Sequence, residues 1–400
     1  MQTPFSDIHP FKTEVIRMPE GDRYVLTVNA KGFPVDWPNL YCSIALRSSG
    51  IALATMQTHM AAICLLHNWT AERGIPLRQR IETLDLLTTA EIDSLRFEMR
   101  TRRSPAKDGS KVVKNPHWRM RLIAIADYVR WHSEVVISRM SSRDERWATA
   151  QKRLNAVCKH IVGKIRIRKN RKKGGLEKET QQILAKAITI GHPTNLFARR
   201  TQPRNLALVA TYSEAGLRRG EAVGLKCVDM HLNGPSPYVV VERRPDDQDD
   251  TRAQQPLPKT LAHDVPISPR AARILAEFMI YERPTYPGAK KSPYVFISQE
   301  GKPLSLSSVD QIFRKLREVP GIPAKFSPQV LRRTWNDRVG DAAEELGIPP
   351  ELEMQIRNEA QGRVRHSSQA IDYQVGRLRR RGNDIALKMQ DQATKEVVNG

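Results

Sequence analysis

Apolar residues recur at three- and four-residue steps through residues 47–140, a periodicity that predicts amphipathic helices. The apolar face of the first helix consists of Met56, Met60, Ile63 and Leu66. Thr88, with Glu91 three residues later, predicts the capped start of a second helix. The region is therefore expected to form a compact unit of four or five helices.

A third helix start is predicted at Asn115-Pro116, where an asparagine cap precedes a proline in the first turn. Arg119 and Arg121 lie off its apolar stripe, so the helix is expected to present a basic face. The stripe itself consists of Trp118, Leu122, Ile125 and Val129.

The first 46 residues lack helical periodicity. Tyr24–Val28 is rich in β-forming residues and Asn29–Gly32 supplies a turn, which together predict a small hairpin or arm. Pro34, Trp37 and Pro38 are expected to break any regular element that follows. The aromatic residues of this segment are expected to pack on the next domain: Phe33, Trp37 and Tyr41.

The second half of the chain combines helical stretches with short β-type runs. The clearest strand is Tyr238–Glu242, with Val265–Ile267 as its returning partner and Tyr294–Ile297 as another short strand. Together the patterns predict a mainly α-helical α+β fold with a small antiparallel sheet. Further helix starts are predicted at Ser268, and at Ser307 or Ser308.

A sharp corner between two helices is predicted at Gly216, because a glycine just past a helix end readily takes the left-handed conformation. Arg218 would then lie beside the N-terminal amides of the next helix, a place suited to an anion. An exposed ion pair between Arg218 and Glu221 would explain the same residues, so the corner alone leaves both interpretations open.

The character of the sequence changes again between residues 141 and 175. A helix-like segment around Leu154, Val157 and Ile161 runs into a block of basic residues that ends in a glycine pair, which predicts a linker. The expected domain order is a β-rich arm at 1–46, a helical unit at 47–140, a basic linker at 141–175, a second domain at 176–376 and a basic tail at 377–400.

The chain is strongly basic. In 400 residues, 65 Lys and Arg face 43 Asp and Glu, a formal net charge of +22. Such an excess indicates a polyanionic partner, of which nucleic acid is the commonest. No apolar run is long enough to span a membrane and no secretory signal is evident, so a cytoplasmic, nucleoid-associated protein is expected.

The four cysteines are widely scattered, without a Cys-x-x-Cys pair or a cysteine–histidine cluster of zinc spacing. We therefore expect a reduced protein that needs no metal and no other cofactor.

Three motifs, in this order, resemble those of the tyrosine recombinase (phage integrase) family. The first is Gly216-Leu217-Arg218 with Glu221, and the second is Leu331-Arg332-Arg333-Thr334. The third is Arg363–Ser368, followed by Tyr373. Each match is weak alone, but three in the right order are fairly specific. The resemblance is strong over the C-terminal half, and residues 47–140 resemble the family's core-binding domain in outline.

The resemblance implies cleavage of a DNA phosphodiester without metal or ATP. Arg218 and Arg332 would clamp the phosphate oxygens, and Tyr373 would attack to form a 3′-phosphotyrosine. Lys259, in the turn before the returning strand, would protonate the leaving oxygen. The less favoured lysines for that role are Lys226 and the pair Lys290-Lys291.

The last phosphate ligand is open between two residues. His366 has the Ser-Ser context and is preferred, whereas Arg363 follows Gly362 as the family's residue does. Gln329 stands where the family usually has histidine; it can donate a hydrogen bond to phosphate but cannot shuttle a proton at neutral pH. The long interval from Arg332 to Tyr373 implies an insertion near residues 342–359.

The resemblance also implies a two-lobed clamp around double-stranded DNA, dimeric on one site and tetrameric on paired sites, with accessory DNA-bending factors as further partners. No membrane partner is expected. The basic residues expected to contact DNA are Arg119, Arg121, Arg168, Lys169, Arg171 and Lys172.

Two alternatives to a site-specific recombinase or integrase remain. One is a family member that binds DNA but has lost cleavage, which Gln329 favours. The other is an enzyme similar to type IB topoisomerases, with the same chemistry. RNA binding has little support, since no aromatic-rich motif accompanies the basic residues.

Overall fold

The computed structural model describes residues 11–102, 109–141, 143–167, 174–363 and residue 389. The chain divides into two compact units, Met1–Lys169 and Asn170–Gly400.

The first unit pairs a β-hairpin with a group of helices. Strands β1 (Lys12–Arg17) and β2 (Arg23–Val28) are antiparallel, with Val15 opposite Val25. The helices are α1 (Asp36–Tyr41), α2 (Leu53–Glu72), α3 (Leu77–Glu82), α4 (Thr89–Arg100), α5 (Asn115–Ile137) and α6 (Glu145–Val162). Their apolar faces enclose one core, in which Trp69 and Tyr128 are the largest side chains that are fully buried.

The prediction that Trp37 and Pro38 would break regular structure is wrong. Both lie in α1, where Pro38 occupies the first turn and lacks only an N–H that has no partner inside a helix. Trp37 stacks on His132 with ring centroids 4.2 Å apart, and Tyr41 is buried. Phe33, in contrast, is 64% exposed.

The two helix starts predicted in this unit have different outcomes. The capping box at Thr88 is confirmed: Thr88 N–H donates to Glu91 Oε2 over 2.7 Å, and Glu91 N–H donates to Thr88 Oγ1 over 3.3 Å. Asn115, however, is not a cap. It is the first residue of α5, and its Nδ2 donates to the carbonyl oxygen of Arg166 over 2.9 Å.

Much of the segment predicted as linker belongs to the fold of the first unit. Leu154, Val157 and Ile161 of α6 are buried in its core, so the helix is amphipathic and does not bridge two units as a flexible chain. The helix ends at Gly163, which has a positive φ of 56°.

The second unit consists of helices around a three-stranded antiparallel sheet. The sheet order is β3–β4–β5, with β3 at Met230–His231, β4 at Tyr238–Val241 and β5 at His263–Pro266. Val239 lies opposite Val265, as expected for a returning strand. The helices are α7 (Lys178–Ile188), α8 (Gln202–Ala215), α9 (Arg219–Gly224), α10 (Pro269–Glu277), α11 (Leu306–Leu316), α12 (Pro328–Glu345) and α13 (Pro350–Glu359). The predicted mainly α-helical fold with small antiparallel sheets is confirmed.

Two local predictions in this unit need correction. Tyr294–Ile297 is not a strand: it is a buried segment that makes isolated bridges to Lys226 and Pro303. Its apolar run reflects burial on all sides, which periodicity cannot distinguish from a buried strand. Ser268 caps α10 as predicted, but the cap of α11 is Ser305, whose hydroxyl accepts from the N–H of Ser308.

The glycine pair predicted as linker is fixed against α12. Gly175 N–H donates to Asp337 Oδ2, and Leu176 N–H donates to Thr334 Oγ1, each over 2.8 Å. A Cβ at Gly175 would lie 2.4 Å from the Cα of Thr334, so only glycine permits this approach.

The segment predicted as an insertion is the end of α12 followed by α13. Glu353 and Arg357 of α13 form a buried ion pair. This pair is hydrogen-bonded to α12, because Arg357 Nη1 donates to Asn336 Oδ1 over 3.2 Å. Asn336 Nδ2 in turn donates to the carbonyl oxygen of Arg332 over 2.7 Å.

Candidate active site

The corner predicted at Gly216 exists. Gly216 ends α8 with φ 58° and ψ 26°, and Arg218 immediately precedes α9. A Cβ at Gly216 would lie 2.6 Å from the indole ring of Trp335, so the corner packs directly on α12. This contact brings the two arginine motifs of the sequence together.

Glu221 joins the two motifs. Its Oε1 accepts from Arg218 Nη1 over 2.7 Å, and its Oε2 accepts from the backbone N–H of Arg218 over 2.7 Å. Arg332 Nη1 lies 3.5 Å from Oε2. Glu221 is 2% exposed, whereas the Arg218 side chain is 27% exposed, so the pair is not the exposed ion pair of the alternative interpretation.

The charge state of Glu221 follows from these contacts. Burial raises the pKa of the carboxyl, but the charges of Arg332 and Arg218 and the hydrogen bonds from Arg218 outweigh burial. The net result is a pKa below the ordinary value, so Glu221 is ionised at neutral pH.

Arg332 is 2% exposed and spans from the Gly216 corner to the end of α13. Its Nη1 donates to the carbonyl oxygen of Gly216 over 2.8 Å, and its Nη2 donates to Gln361 Oε1 over 2.7 Å. Arg363 Nη2 donates to the same Gln361 oxygen. Arg218, Arg332 and Arg363 are thereby linked through Glu221 and Gln361.

We call these five residues the arginine cluster: Arg218, Glu221, Arg332, Gln361 and Arg363. Three guanidinium charges against one carboxylate give these side chains a net charge of +2. Guanidinium groups held in fixed orientations suit the planar, two-point binding of phosphate oxygens.

Lys259 is exposed, and its neighbour Thr260 ties the turn to the cluster. Thr260 Oγ1 donates to Glu221 Oε1 over 3.3 Å, which holds the turn before β5 beside Arg218. The alternative lysine, Lys226, is engaged elsewhere: its Nζ donates to Asp249 Oδ2 over 2.7 Å and to Asp247 Oδ1 over 3.0 Å. Lys290 and Lys291 lie exposed in a 3₁₀ turn, Ala289–Lys291.

Gln329 is an exposed residue in the first turn of α12, one turn before Arg332. Arg333 faces away from the cluster, as its position next to Arg332 on the helix predicts. Its Nε donates to the carbonyl oxygen of Gly174 over 3.1 Å.

His263 belongs to the site but was not predicted from the sequence. Its Nδ1 donates to the carbonyl oxygen of Leu261 over 2.9 Å, and its ring packs against Gly362. Burial lowers the pKa of His263; Leu261 and Glu221 oppose this shift, while Arg332 and Arg218 add to it, and the net pKa is below the ordinary value. No motif marks this histidine, since it is only the first residue of β5.

The close packing at Gly362 fixes the end of α13 against the turn that contains Thr260. Leu261 N–H donates to the carbonyl oxygen of Gly362 over 2.9 Å. Gly362 has φ 56°, and a Cβ there would lie 2.2 Å from His263 Nδ1. Glycine is therefore required between Gln361, which binds Arg332, and Arg363, which binds Gln361.

Other residues predicted for function are distributed as follows. Arg119 is exposed on α5, whereas Arg121 Nη1 donates to the carbonyl oxygens of Met99 and Thr101 at the end of α4. Outside the described residues lie His366, Tyr373, Arg168, Lys169, Arg171 and Lys172.

In the described ranges, no group of three or more His, Cys, Asp or Glu side chains could hold a metal ion. Within the same ranges, no helix is long and apolar enough to cross a membrane.

Residues 176–340 match the model of the phage integrase family. The match covers the Gly216 corner, the β4–β5 turn and Arg332, so both arginines of the pair lie inside the domain that this family shares. The second unit therefore contains a phage integrase domain.

Solved structures with a similar chain course include an integrase of the Tn1549 transposon in complex with transposon right end DNA. It shares 14% identity, and the match covers 86% of this chain and 99% of that one at a TM-score of 0.47. XerH recombinase bound to palindromic difH substrate shares 14% identity over 80% of this chain and 89% of its own, at a TM-score of 0.42. XerA recombinase shares 13% identity, and the match covers 84% of this chain and 92% of that one at a TM-score of 0.36. Comparison with curated proteins finds no match.

Proposed function

We propose that this protein is a site-specific DNA recombinase or integrase that cuts and rejoins DNA through a covalent 3′-phosphotyrosine. The observation that carries the proposal is the pairing of Arg218 and Arg332 through buried Glu221, within a phage integrase domain. The net charge of +22 supports DNA as the polyanionic partner.

In the proposed reaction, the phenolic oxygen of Tyr373 attacks the scissile phosphorus in line and releases its proton to solvent. A Tyr–O–P bond forms as the bond from phosphorus to the 5′-oxygen breaks, and Lys259 gives a proton to that leaving oxygen. The arginine cluster stabilises the charge that develops on the non-bridging oxygens. The reverse steps with a different 5′-hydroxyl rejoin DNA, and the covalent link conserves the bond energy without ATP or metal.

Of the two candidates for the last phosphate ligand, Arg363 is supported by its link to Arg332 through Gln361. His366 stays a prediction.

The nucleophile is tested with a nicked suicide substrate made from the end DNA of the mobile element that would carry the gene. Wild-type protein, in buffer with EDTA and no ATP, should give a covalent adduct on a denaturing gel, with the modified peptide containing Tyr373. Tyr373→Phe should bind the DNA equally well and give no adduct. The control Tyr281→Phe, at a 70% exposed tyrosine of the same unit, should behave as wild type. An adduct formed by Tyr373→Phe would contradict the proposal.

The role of Lys259 is tested with a substrate whose leaving 5′-oxygen is replaced by sulfur, because a thiolate leaves without protonation. Lys259→Ala should cut ordinary DNA at least ~100-fold more slowly and recover most of that rate on the sulfur substrate. Lys226→Ala should not show this selective recovery, since Lys226 is ion-paired with Asp247 and Asp249.

A DNA-binding protein without cleavage is the second candidate, favoured by Gln329 at the start of α12. Tight, salt-sensitive binding without any adduct on a range of nicked substrates would support it. Relaxation of plasmids that lack a specific site would instead favour the topoisomerase-like activity.

We also propose that each protomer cuts one strand, with a dimer on one site and a tetramer on paired sites. Sedimentation of the protein with one-site and two-site DNA tests these stoichiometries. Dependence of recombination on an added DNA-bending protein would reveal accessory factors.

A further inference from the structure

Gln361 lies at the centre of the arginine cluster, although no motif singles it out. It is 1% exposed and follows α13 by two residues. Its side-chain oxygen accepts hydrogen bonds from two different guanidiniums, those of Arg332 and Arg363. One neutral carboxamide thus orients two cations.

The chemistry of its partners fixes the orientation of this amide. A guanidinium has donors only, so the atom that faces Arg332 and Arg363 must be the amide oxygen. The Nε2 group therefore points away from both arginines. Among the described residues this buried Nε2 has no hydrogen-bond acceptor.

A buried donor without an acceptor is uncommon, because burial removes its hydrogen bond to water and the lost bond costs free energy unless a protein or ligand atom replaces it. Here the donor belongs to a cluster whose five side chains have a net charge of +2. An anionic oxygen would satisfy the Nε2 group and the excess charge together.

The neutral state of the amide also has a function. A carboxylate at this position would accept the same two hydrogen bonds more strongly, but it would lower the charge of the cluster from +2 to +1. An amide orients the arginines and leaves their charge available to a ligand.

We propose that Gln361 is a phosphate ligand of this site, which donates Nε2–H to a non-bridging oxygen of the bound phosphodiester while its oxygen positions Arg332 and Arg363. The chemical class of the ligand is a phosphate, and the identification of that phosphate with the scissile one in DNA rests on the proposed function.

The diagnostic substitution is Gln361→Glu, which keeps an oxygen for both arginines, removes the donor and adds a negative charge. The control is Gln299→Glu, an exposed residue of the same unit with the same change in charge. Gln361→Leu removes both the donor and the acceptor at similar size.

The first measurement is the melting temperature of the full-length protein with increasing inorganic phosphate, which is independent of cleavage. Wild type and Gln299→Glu should be stabilised by phosphate, whereas Gln361→Glu should keep the melting temperature of wild type without phosphate and lose the increase. An equal phosphate-dependent increase in Gln361→Glu and wild type would overturn the assignment.

The second measurement is the rate of adduct formation on the nicked substrate at saturating DNA. Gln361→Glu should be slower by roughly 10- to 100-fold, the usual effect of removing one donor to a developing oxyanion, with Gln299→Glu unchanged. A merely structural Gln361 predicts the opposite order: Gln361→Glu active and stable, Gln361→Leu unstable and inactive.

The two measurements separate the two proposals. If wild type forms no adduct but phosphate stabilises it through Gln361, the recombinase proposal fails and the phosphate site stands. If adducts form at equal rates in wild type and Gln361→Glu, the recombinase proposal stands and the role of Gln361 fails.

Discussion

At the scale of single residues, one carboxylate determines the geometry of the candidate site. Glu221 is nearly fully buried, and its charge is matched by Arg218 and Arg332 from two separate helical segments. A buried ion of this kind is retained only when partners replace its water, and removal of one partner leaves the others uncompensated.

We therefore predict that Glu221→Gln lowers the free energy of unfolding of the second unit by about 3 kcal/mol, because buried Arg332 and partly exposed Arg218 lose their shared anion. Chemical denaturation followed by hydrogen exchange in the α8, α9 and α12 peptides measures this change. The control is Glu242→Gln, where a 50% exposed carboxylate pairs with Arg244 and a loss below about 1 kcal/mol is expected. Equal losses for both variants would contradict the prediction.

The same contacts predict a dependence on pH. Because the folded-state pKa of Glu221 is below its ordinary value, its contribution to stability is complete above the pKa of the unfolded chain. The contribution is lost as the pH falls through the lowered folded-state value. In Glu221→Gln this acid-dependent loss should be smaller than in wild type, by the same denaturation measurement.

At the scale of elements, the position of the site depends on a glycine corner that packs against a helix. Gly216 ends α8 in the left-handed conformation and contacts Trp335 of α12. Local sequence predicted the end of α8 there, since glycine is favoured past a helix end. The partner of the corner lies more than 100 residues later and could not be predicted from local pattern.

Gly216→Ala should lower the free energy of unfolding by more than the loss of a glycine at a positive φ explains, because the added Cβ would lie 2.6 Å from the indole ring of Trp335. The matched control is Gly347→Ala: Gly347 follows α12 with φ 65°, and among the described residues a methyl group added there would meet nothing within 4 Å. We expect the free energy of unfolding to fall by about 1 kcal/mol in Gly347→Ala and by at least about 2 kcal/mol in Gly216→Ala. Urea denaturation measures both, and similar values would show that the contact with Trp335 is easily relaxed.

Helix starts illustrate which local signals are reliable. The caps at Thr88 and Ser268 were predicted because hydroxyl caps act within three residues of themselves. The prediction for Trp37 and Pro38 was wrong for two reasons. Proline is tolerated in the first turn of a helix, and Trp37 stacks on His132, a residue of α5 that is distant in sequence.

Within the first unit as a whole, histidines packed among aromatic rings couple folding to pH. Burial and the neighbouring charge of His132 lower the pKa of His67 to about 4, and burial lowers that of His132 to about 4. Both are lower than in an unfolded chain, where histidine titrates near ~6.5. The unfolded state therefore takes up protons first as the pH falls.

We predict that the first unit loses stability as the pH falls from about 6.5 to about 4, by on the order of 3 kcal/mol for each of the two histidines. Hydrogen exchange in peptides of α2 and α5 across this range measures the loss. His132→Gln should flatten the slope with pH, whatever its effect at neutral pH.

At the scale of the whole molecule, the net charge of +22 predicts binding to DNA dominated by phosphate contacts. The logarithm of the affinity should fall linearly with the logarithm of salt concentration. With about 6–10 contacts, affinity should drop by roughly 10³–10⁵ between about 50 and 200 mM salt. Fluorescence anisotropy with a labelled duplex measures the slope, and affinity that is insensitive to salt would exclude this mode of binding.

Local sequence is enough to predict the helical periodicity, several caps, the left-handed glycine at Gly216, the basic charge and the order of the arginine motifs. These features depend on residues close together in the chain or on composition, so local physics is sufficient. The sequence also predicted that Arg218 and Arg332 act together, but only through resemblance to a family.

Which side chains meet at the site depends on how distant segments pack in the folded chain. Arg332 reaches the carbonyl oxygen of Gly216 across 116 residues of chain, and Gln361 joins the cluster from just beyond α13. His263, at the start of β5, packs beside the cluster against Gly362. The same applies to Lys226, which proved to be ion-paired, and to the glycine pair, which is fixed on α12. Their partners are set by packing between distant segments, and packing leaves no periodic or local signal in a single sequence.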